Sequence, residues 1–306
     1  MITVGAGVLV VGLLYYQGSG SGTDPVQLVR SSDRGWIGLA LLAMVASYPV
    51  ATVGVLGFVP ERIGFARTAL AQLAGSFVRL VIPGNLGGAA LNTRLLQRSG
   101  IAPGRAVSSI GAGQLVGLVL HLLQLAFFVW LSGVRRPNTA QGAHSTEIAL
   151  GCVALVAVLA LLVLAVPAVR DRLVTRLRPL LEGSVARLRD LLHHPGGPAL
   201  GALGQFMVSM MLTSCLYCCV RATGGDARFS AVAVAFLVGS AVGTLVPTPS
   251  GVGGVEAATA AVLGSTTGLG NSNALAAVML FRLITLVLPV LPGWAALSWL
   301  QRAEAL

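Results

Sequence analysis

Three charged residues lie inside long apolar stretches of this sequence. They are Arg79, Glu256 and Arg282, and Arg94 stands at the margin of such a stretch. A charge at the centre of a membrane helix costs about 2.5–3.5 kcal/mol on insertion scales, so each residue needs a partner or a function. If the four groups meet, three guanidinium groups face one carboxylate. We therefore predict a site for an anionic group, most simply a lipid phosphate held by the planar arginine fork.

Glu256 and Arg282 admit a second interpretation, as a buried ion pair that only fixes the packing of helices. Glu256 follows Gly254 by two residues, at the predicted start of a short helical arm. The positive end of a helix dipole stabilises a carboxylate at that position. Both interpretations predict that Glu256 and Arg282 lie close together.

Proline and glycine interrupt two apolar stretches next to these charges. The first break contains Pro83, Gly84, Gly87 and Gly88. The second break contains Pro247, Pro249, Gly253 and Gly254. Glycine lets unwound backbone offer N–H groups to a phosphate oxygen, and this favours a binding site at the breaks. The alternative is that the glycines only permit tight turns and close contacts between helices.

Other polar residues within the apolar stretches have simpler interpretations. His121 could relay protons, and Gln114 and Gln124 could line a polar path, but we expect such residues to hydrogen-bond neighbouring helices. Three cysteines share a predicted helical face without a histidine or carboxylate nearby in sequence, so we expect apolar contacts and no metal site. These cysteines are Cys215, Cys218 and Cys219.

The composition excludes most other classes of protein. Of the 306 residues, 55% are hydrophobic and only 10% charged, whereas a soluble domain carries about 25% charged residues. The net charge is +10, but the arginines are scattered through short loops, which disfavours a nucleic-acid partner. No interval between apolar blocks is long enough to fold a soluble catalytic domain. We expect a multi-pass membrane protein without a cofactor and without a catalytic site.

The apolar blocks predict an all-α membrane bundle with about six full spans. The spans are Met1–Tyr16, Trp36–Phe58, Val107–Leu131, Ile148–Val169, Ala199–Val220 and Ala274–Trp299. Two pairs of shorter arms flank the breaks, Phe65–Ile82 with Ala89–Arg98 and Phe229–Val246 with Val255–Gly264. Each interrupted pair predicts a re-entrant hairpin. We expect a single integral membrane domain over residues 1–306, in which residues 1–35 form a peripheral first span and loop.

The two predicted hairpins resemble each other in sequence. Gly75–Pro83 and Gly239–Pro247 both begin with Gly-Ser, and in both the proline follows the serine by seven residues. Three predicted spans lie between the hairpins, so they should enter the membrane from opposite faces as an inverted repeat. The arginine-rich loop Arg170–His194 is then cytoplasmic, in agreement with the positive-inside bias. Broken segments at matching places in two halves indicate the binding site of a transporter.

At these residues the chain resembles the lysylphosphatidylglycerol synthase transmembrane region, also called the flippase-like domain family. The resemblance covers roughly residue 36 to the end of the sequence. Ser250 stands where the family motif has a glycine, and Gly113-Gln114 stands where many relatives carry a Glu-Arg pair. The matching segments are Phe77–Gly88 with Arg94, Pro247–Glu256, and Phe281-Arg282 followed by Leu288-Pro289 and Gly293.

The resemblance implies movement of anionic or aminoacylated phospholipids, or of lipid-linked intermediates, between the leaflets of a bacterial inner membrane. In this hypothesis Arg79 and Arg282 hold the phosphate, and Glu256 orients Arg282 or meets a cationic part of the head group. These residues include no soluble aminoacyl-transfer domain of the kind some relatives carry, so we expect a separate lipid synthase as a partner. The rival hypotheses are a membrane enzyme acting on a lipid-linked sugar or aminoacyl lipid, and a non-catalytic subunit that anchors a synthase.

Overall fold

The computed structural model of the chain describes residues 32–61, 63–81, 86–132, 196–246 and 248–303. Within these ranges the protein is helical, without a β-strand. The predicted spans Met1–Tyr16 and Ile148–Val169 and the loop Arg170–His194 lie outside the described residues. Pro83, Gly84 and Pro247 lie outside them as well.

Nine α-helices follow one another through the described ranges. They are α1 (Arg34–Leu56), α2 (Phe65–Val81), α3 (Leu86–Arg98), α4 (Pro103–Leu131), α5 (Gly196–Ala222), α6 (Phe229–Leu245), α7 (Gly254–Thr267), α8 (Asn271–Arg282) and α9 (Val290–Arg302). A π-helical turn, Leu283–Val287, joins α8 to α9. Among the described residues, four stretches are long and apolar enough to cross a membrane: α1, α4, α5 and the continuous helix Asn271–Arg302.

These helices confirm the prediction of an all-α membrane protein. The four long helices coincide with four of the six predicted spans, and the predicted short arms appear as the pairs α2–α3 and α6–α7. Helix α7 continues three residues beyond the predicted end at Gly264, because the left-handed glycine that closes it is Gly268, with φ of 70°. The total number of spans and the inverted repeat stay predictions.

Helix ends follow from local chemistry. The carboxylate of Asp33 accepts a hydrogen bond from the Gly35 amide at 2.7 Å and so caps the first turn of α1. Helix α4 begins at Pro103, whose fixed φ suits the first helical position and whose missing N–H is not needed there. Helix α6 ends at the extended residue Val246, which precedes a proline in the sequence, and proline disfavours helical conformation in the residue before it.

Helix α6 lies at the centre of the bundle. Residues 230–239 are all buried, and α4, α5 and α7 pack around the helix. Its sequence is apolar on every side, as expected of a helix buried in the core of a bundle. The outer face of α4, in contrast, exposes Leu118, Leu122 and Phe127, which fits contact with lipid chains.

Helices α1 and α5 form the most extensive interface among the described helices, and glycines bring their backbones together. A Cβ atom on Gly204 would lie 2.4 Å from the Gly54 amide nitrogen, and one on Gly57 would lie 2.3 Å from the Gly201 nitrogen. Such close approach provides the van der Waals contact and backbone proximity that hold membrane helices together, since apolar side chains gain little over lipid.

Close contacts at glycine also occur within the two short helix pairs. In α2–α3, Gly87 is buried and leaves no room for a side chain, since a Cβ there would lie 3.0 Å from the Val78 carbonyl oxygen. In α6–α7, a Cβ on Gly254 would lie 2.5 Å from Val246 Cγ2. Gly293 of α9 packs against α2, where a Cβ would approach the Leu73 carbonyl oxygen to 2.8 Å. Close contacts at glycine therefore hold together the two arms of each short pair and hold α9 against α2.

We expect Gly204→Ala to destabilise the protein, because the added methyl group must push α5 away from α1. Overpacking of this kind costs about 1–3 kcal/mol. Thermal unfolding in detergent, followed by tryptophan fluorescence, should show a lower midpoint than for the wild type. Gly38→Ala is the matched control, since Gly38 lies in α1 with open space around it, and it should leave the midpoint unchanged or raise it. Equal midpoints for the two variants would contradict this account of the interface.

Candidate functional site

The break between α6 and α7 is built from residues with unusual backbone conformations. Ser250, Gly251 and Gly253 have φ values of 52°, 65° and 93°. Glycine adopts such angles without cost, whereas serine does so rarely. Ser250 is part of a short 3-10 turn, Pro249–Gly251, and its hydroxyl donates a hydrogen bond to the Arg79 carbonyl oxygen at 3.3 Å. The second break thereby contacts the end of α2, next to the first break.

Glu256 and Arg282 form a buried ion pair, as both sequence interpretations predict. Arg282 Nε donates to Glu256 Oε1 at 2.6 Å, and the two side chains are only 9% and 3% exposed. The other carboxylate oxygen, Oε2, accepts a hydrogen bond from the Gly253 amide at 2.7 Å. Glu256 is the third residue of α7, where the carboxylate also meets the positive end of the helix dipole.

Arg282 makes a second bond that ties the last long helix to the break. Its Nη2 donates to the Ser250 carbonyl oxygen at 3.0 Å. Arg282 is the last residue of α8, and the π-helical turn Leu283–Val287 follows at once, with a bond from the Leu288 amide to the Leu283 carbonyl at 3.0 Å. Single π-helical turns inside α-helices occur often at functional sites. The guanidinium group of Arg282 is thus committed to a carboxylate and a backbone carbonyl.

Glu256, Arg282 and Ser250 form a junction between α7, α8 and the second break. A polar cavity of about 490 Å³ lies beside this junction. Its wall is formed by residues from α1 to α6 and by Thr285 of the π-helical turn. Arg79 lines it and is exposed to it. Four amide side chains, Gln72, Asn92, Gln114 and Gln205, contribute most of the remaining polar groups. This volume falls within the range of about 300–1,000 Å³ that is typical of small-molecule sites.

Arg79 has no acidic partner among the residues that the structure describes. The four described carboxylates are all occupied elsewhere, and none lines the cavity. Glu256 binds Arg282, and Asp226 pairs with Arg221. Asp33 caps α1, and Glu61 pairs with Arg105. The cavity therefore has one guanidinium group and no counter-charge from any described residue.

The structure brings together some of the predicted site residues and separates one. Hydrogen bonds join Glu256 to Arg282 and to Gly253. Gly254 is the first residue of α7, the helix that contains Glu256, and Pro249 belongs to the 3-10 turn that precedes this helix. Arg79 and Gly88 line the cavity, and Gly87 precedes Gly88 in the sequence. Arg94 lies apart, in a separate groove on α3 with Thr93, Gln97 and Arg98.

Sequence reasoning missed most of the cavity wall. The residues predicted from the sequence do not include Gln72, Asn92, Gln205 or Tyr48, although an amide inside an apolar stretch indicates a polar environment. Gln114 lines the cavity, in agreement with the alternative that it lines a polar path. Its neighbour Gly113 packs against the ring of Phe58, since a Cβ at position 113 would lie 3.1 Å from Phe58 Cδ2. A side chain at position 113 would therefore have to displace the Phe58 ring.

The remaining polar candidates are held by neighbouring helices, as expected. His121 Nε2 lies 3.0 Å from the Leu237 carbonyl oxygen, and Gln124 Nε2 donates to the Phe206 carbonyl at 3.2 Å. Among the described residues no group of three or more histidine, cysteine or acidic side chains is arranged to hold a metal ion. Three buried free thiols lie in the apolar core, those of Cys215, Cys218 and Cys219.

Comparison with known proteins gives one family. The family model described as the lysylphosphatidylglycerol synthase TM region matches residues 2–293. This match begins nearer the N-terminus than the resemblance seen in the sequence, which starts at about residue 36, and it ends at residue 293. No curated protein matches the chain.

The ion pair makes a prediction about stability. Glu256→Gln keeps the bond to the Gly253 amide but leaves the Arg282 charge buried without a counter-charge, and breaking a buried pair in this way costs about 3–5 kcal/mol. Thermal unfolding in detergent should show a strongly lowered midpoint. The double variant Glu256→Gln/Arg282→Met should recover much of the loss, because it leaves no uncompensated charge. If the double variant is no more stable than Glu256→Gln alone, the two side chains are not coupled.

Proposed function

Because the chain belongs to the lysylphosphatidylglycerol synthase TM region family, a family of membrane proteins linked to lipid metabolism, we propose that it moves anionic or aminoacylated phospholipids, or lipid-linked intermediates, between the leaflets of a membrane. The head group would enter the polar cavity and its phosphate would bind Arg79. The observation that carries this proposal is a guanidinium group in a polar cavity without a counter-charge from any described residue.

Physical chemistry favours an anion beside Arg79. A guanidinium group stays protonated under all ordinary conditions, so an unpaired one inside an apolar bundle is costly until a negative group binds it. Its five N–H donors match the oxygens of a phosphate in a bidentate arrangement. A phospholipid reaches such a cavity with its chains still in the bilayer, so only the head group has to leave water.

Arg282 supports the cavity in a different way. Its charge is neutralised by Glu256, and its bond to the Ser250 carbonyl holds the second break in place. Ser250 in turn bonds the backbone of Arg79. We therefore assign Arg282 and Glu256 as positioning residues that fix the place where Arg79 emerges from α2.

The proposal includes a location and a partner. A bacterial inner membrane is the site at which such a lipid would be moved, and a separate synthase would supply any aminoacylated lipid. If the chain instead only anchors a synthase, purified protein in vesicles would transfer no lipid, and a stable partner would co-purify with it.

The decisive experiment follows the exchange of chain-labelled phosphatidylglycerol between leaflets of phosphatidylcholine vesicles that contain the purified protein. A reductant that cannot cross the membrane bleaches the outer leaflet. We expect Arg79→Gln to slow exchange by roughly tenfold or more, since a hydrogen bond to a charged group contributes about 1.5–3 kcal/mol. Arg79→Lys should retain part of the rate, because it keeps the charge and loses the planar fork.

Two controls make the result specific. Arg98→Gln removes an arginine of the separate groove on α3 and should leave the exchange rate unchanged. The unfolding midpoint of Arg79→Gln should equal or exceed that of the wild type, because the variant removes an uncompensated charge. Wild-type exchange rates in a folded Arg79→Gln protein would refute the assignment.

A further inference from the structure

The side chains of the cavity wall indicate which chemical group, besides a phosphate, the cavity would bind. Apart from Arg79, the polar side chains that line the cavity are amides and hydroxyls, all uncharged. The amides come from four different helices: Gln72 from α2, Asn92 from α3, Gln114 from α4 and Gln205 from α5. A ligand that fills this space therefore meets the positive charge of Arg79 and neutral hydrogen-bonding groups from four helices.

A cationic head group does not suit such a wall. An ammonium group brought in with the lipid would face Arg79 as a like charge, and no described carboxylate lines the cavity to offset it. Like charges repel each other more strongly at a site lined by protein than in bulk water, because the effective dielectric constant is lower there. The four described carboxylates cannot be recruited easily, because each already binds a cation or a helix start.

The amide groups match hydroxyl groups instead. Gln72 Nε2 donates to Asn92 Oδ1 at 2.9 Å, which leaves the Gln72 carbonyl oxygen and the Asn92 amino group free to turn to a ligand. A side-chain amide offers both donors and acceptors, and a hydroxyl is both donor and acceptor as well. The serine and threonine hydroxyls of the wall donate to backbone carbonyls, as Ser47 does to Met44 and Thr285 to Phe281. The amides are thus the main neutral donors in the cavity.

We infer that this site selects lipids whose phosphate carries an uncharged, hydroxylated group, a polyol or a sugar, and that it discriminates against lipids that carry an ammonium group. The inference rests on the proposed function and narrows it, since of the anionic and aminoacylated lipids only the former fit the wall. Arg79 recognises the phosphate, and Gln72, Asn92, Gln114 and Gln205 recognise the hydroxyl groups.

The test compares four lipids that carry the same labelled chain and differ only in the head group. These are phosphatidylglycerol, phosphatidylmethanol, phosphatidylethanolamine and lysylphosphatidylglycerol, each at trace level in phosphatidylcholine vesicles with the purified protein. Phosphatidylglycerol should exchange fastest, by roughly tenfold over the two lipids with amines, a ratio that corresponds to about 1.4 kcal/mol. Phosphatidylmethanol, an anion without hydroxyl groups, should be slower than phosphatidylglycerol.

A charge change in the wall should shift this preference. Gln114→Glu introduces a carboxylate on an exposed position of the cavity, so it should slow phosphatidylglycerol and accelerate lysylphosphatidylglycerol. Gln97→Glu is the matched control, because Gln97 is exposed in the separate groove on α3, and it should leave the ratio of the two rates unchanged. Unfolding midpoints close to the wild type show that both variants are folded.

The outcomes separate this inference from the proposed function. If lysylphosphatidylglycerol crosses as fast as phosphatidylglycerol while Arg79→Gln slows both, the translocation proposal stands and the selectivity inference is overturned. An unchanged rate ratio in folded Gln114→Glu also overturns the inference. If no lipid exchanges faster than in vesicles without protein, the proposed function itself fails.

Discussion

Two opposite charges lie 2.6 Å apart inside an apolar bundle, and the other hydrogen bonds of these two side chains hold the surrounding segments in place. Removing a carboxylate and a guanidinium from water costs several kcal/mol for each ion, and attraction between them repays this only with excellent geometry. Here the second oxygen of Glu256 takes the Gly253 amide, and the second nitrogen of Arg282 takes the Ser250 carbonyl. The start of α7, the broken segment before it and the last long helix are therefore fixed together.

This junction also separates the roles of two arginines that look alike in sequence. Arg282 is neutralised by Glu256, whereas Arg79 has no described carboxylate and faces the cavity. Ser250 connects them, because its carbonyl accepts from Arg282 and its hydroxyl donates to the Arg79 backbone. A substitution of Glu256 should therefore shift the position of Arg79 through the turn Pro249–Gly251, even though Glu256 itself does not line the cavity.

The sequence predicts the helices and the ion pair well because both depend on local or strongly restrictive features. Apolar blocks of about 20 residues are long enough to cross a membrane as helices, and the predicted span Trp36–Phe58 agrees with α1 (Arg34–Leu56) within a few residues. A lone glutamate among intramembrane arginines has few possible partners, and Arg282 is one of them. The cavity wall is harder to predict. Gln72 and Gln205 are single amides in apolar helices, and only tertiary packing decides that they face inward while Arg94 faces a different groove.

The two breaks are similar in sequence but contribute different residues to the site. The repeated serines behave alike, since Ser76 and Ser240 each donate to the carbonyl three residues earlier, at 2.6 and 3.0 Å. Three residues after each serine the copies differ: the first has Arg79 and the second has Gly243. A Cβ on Gly243 would lie 2.2 Å from Val255 Cγ2, so α7 packs where an arginine would need to pass. The second copy also has two extra residues before its glycine pair, and Ser250 lies in this longer segment. The first copy therefore supplies Arg79, which has no acidic partner among the described residues, and the second copy supplies Ser250, which bonds the Arg79 backbone.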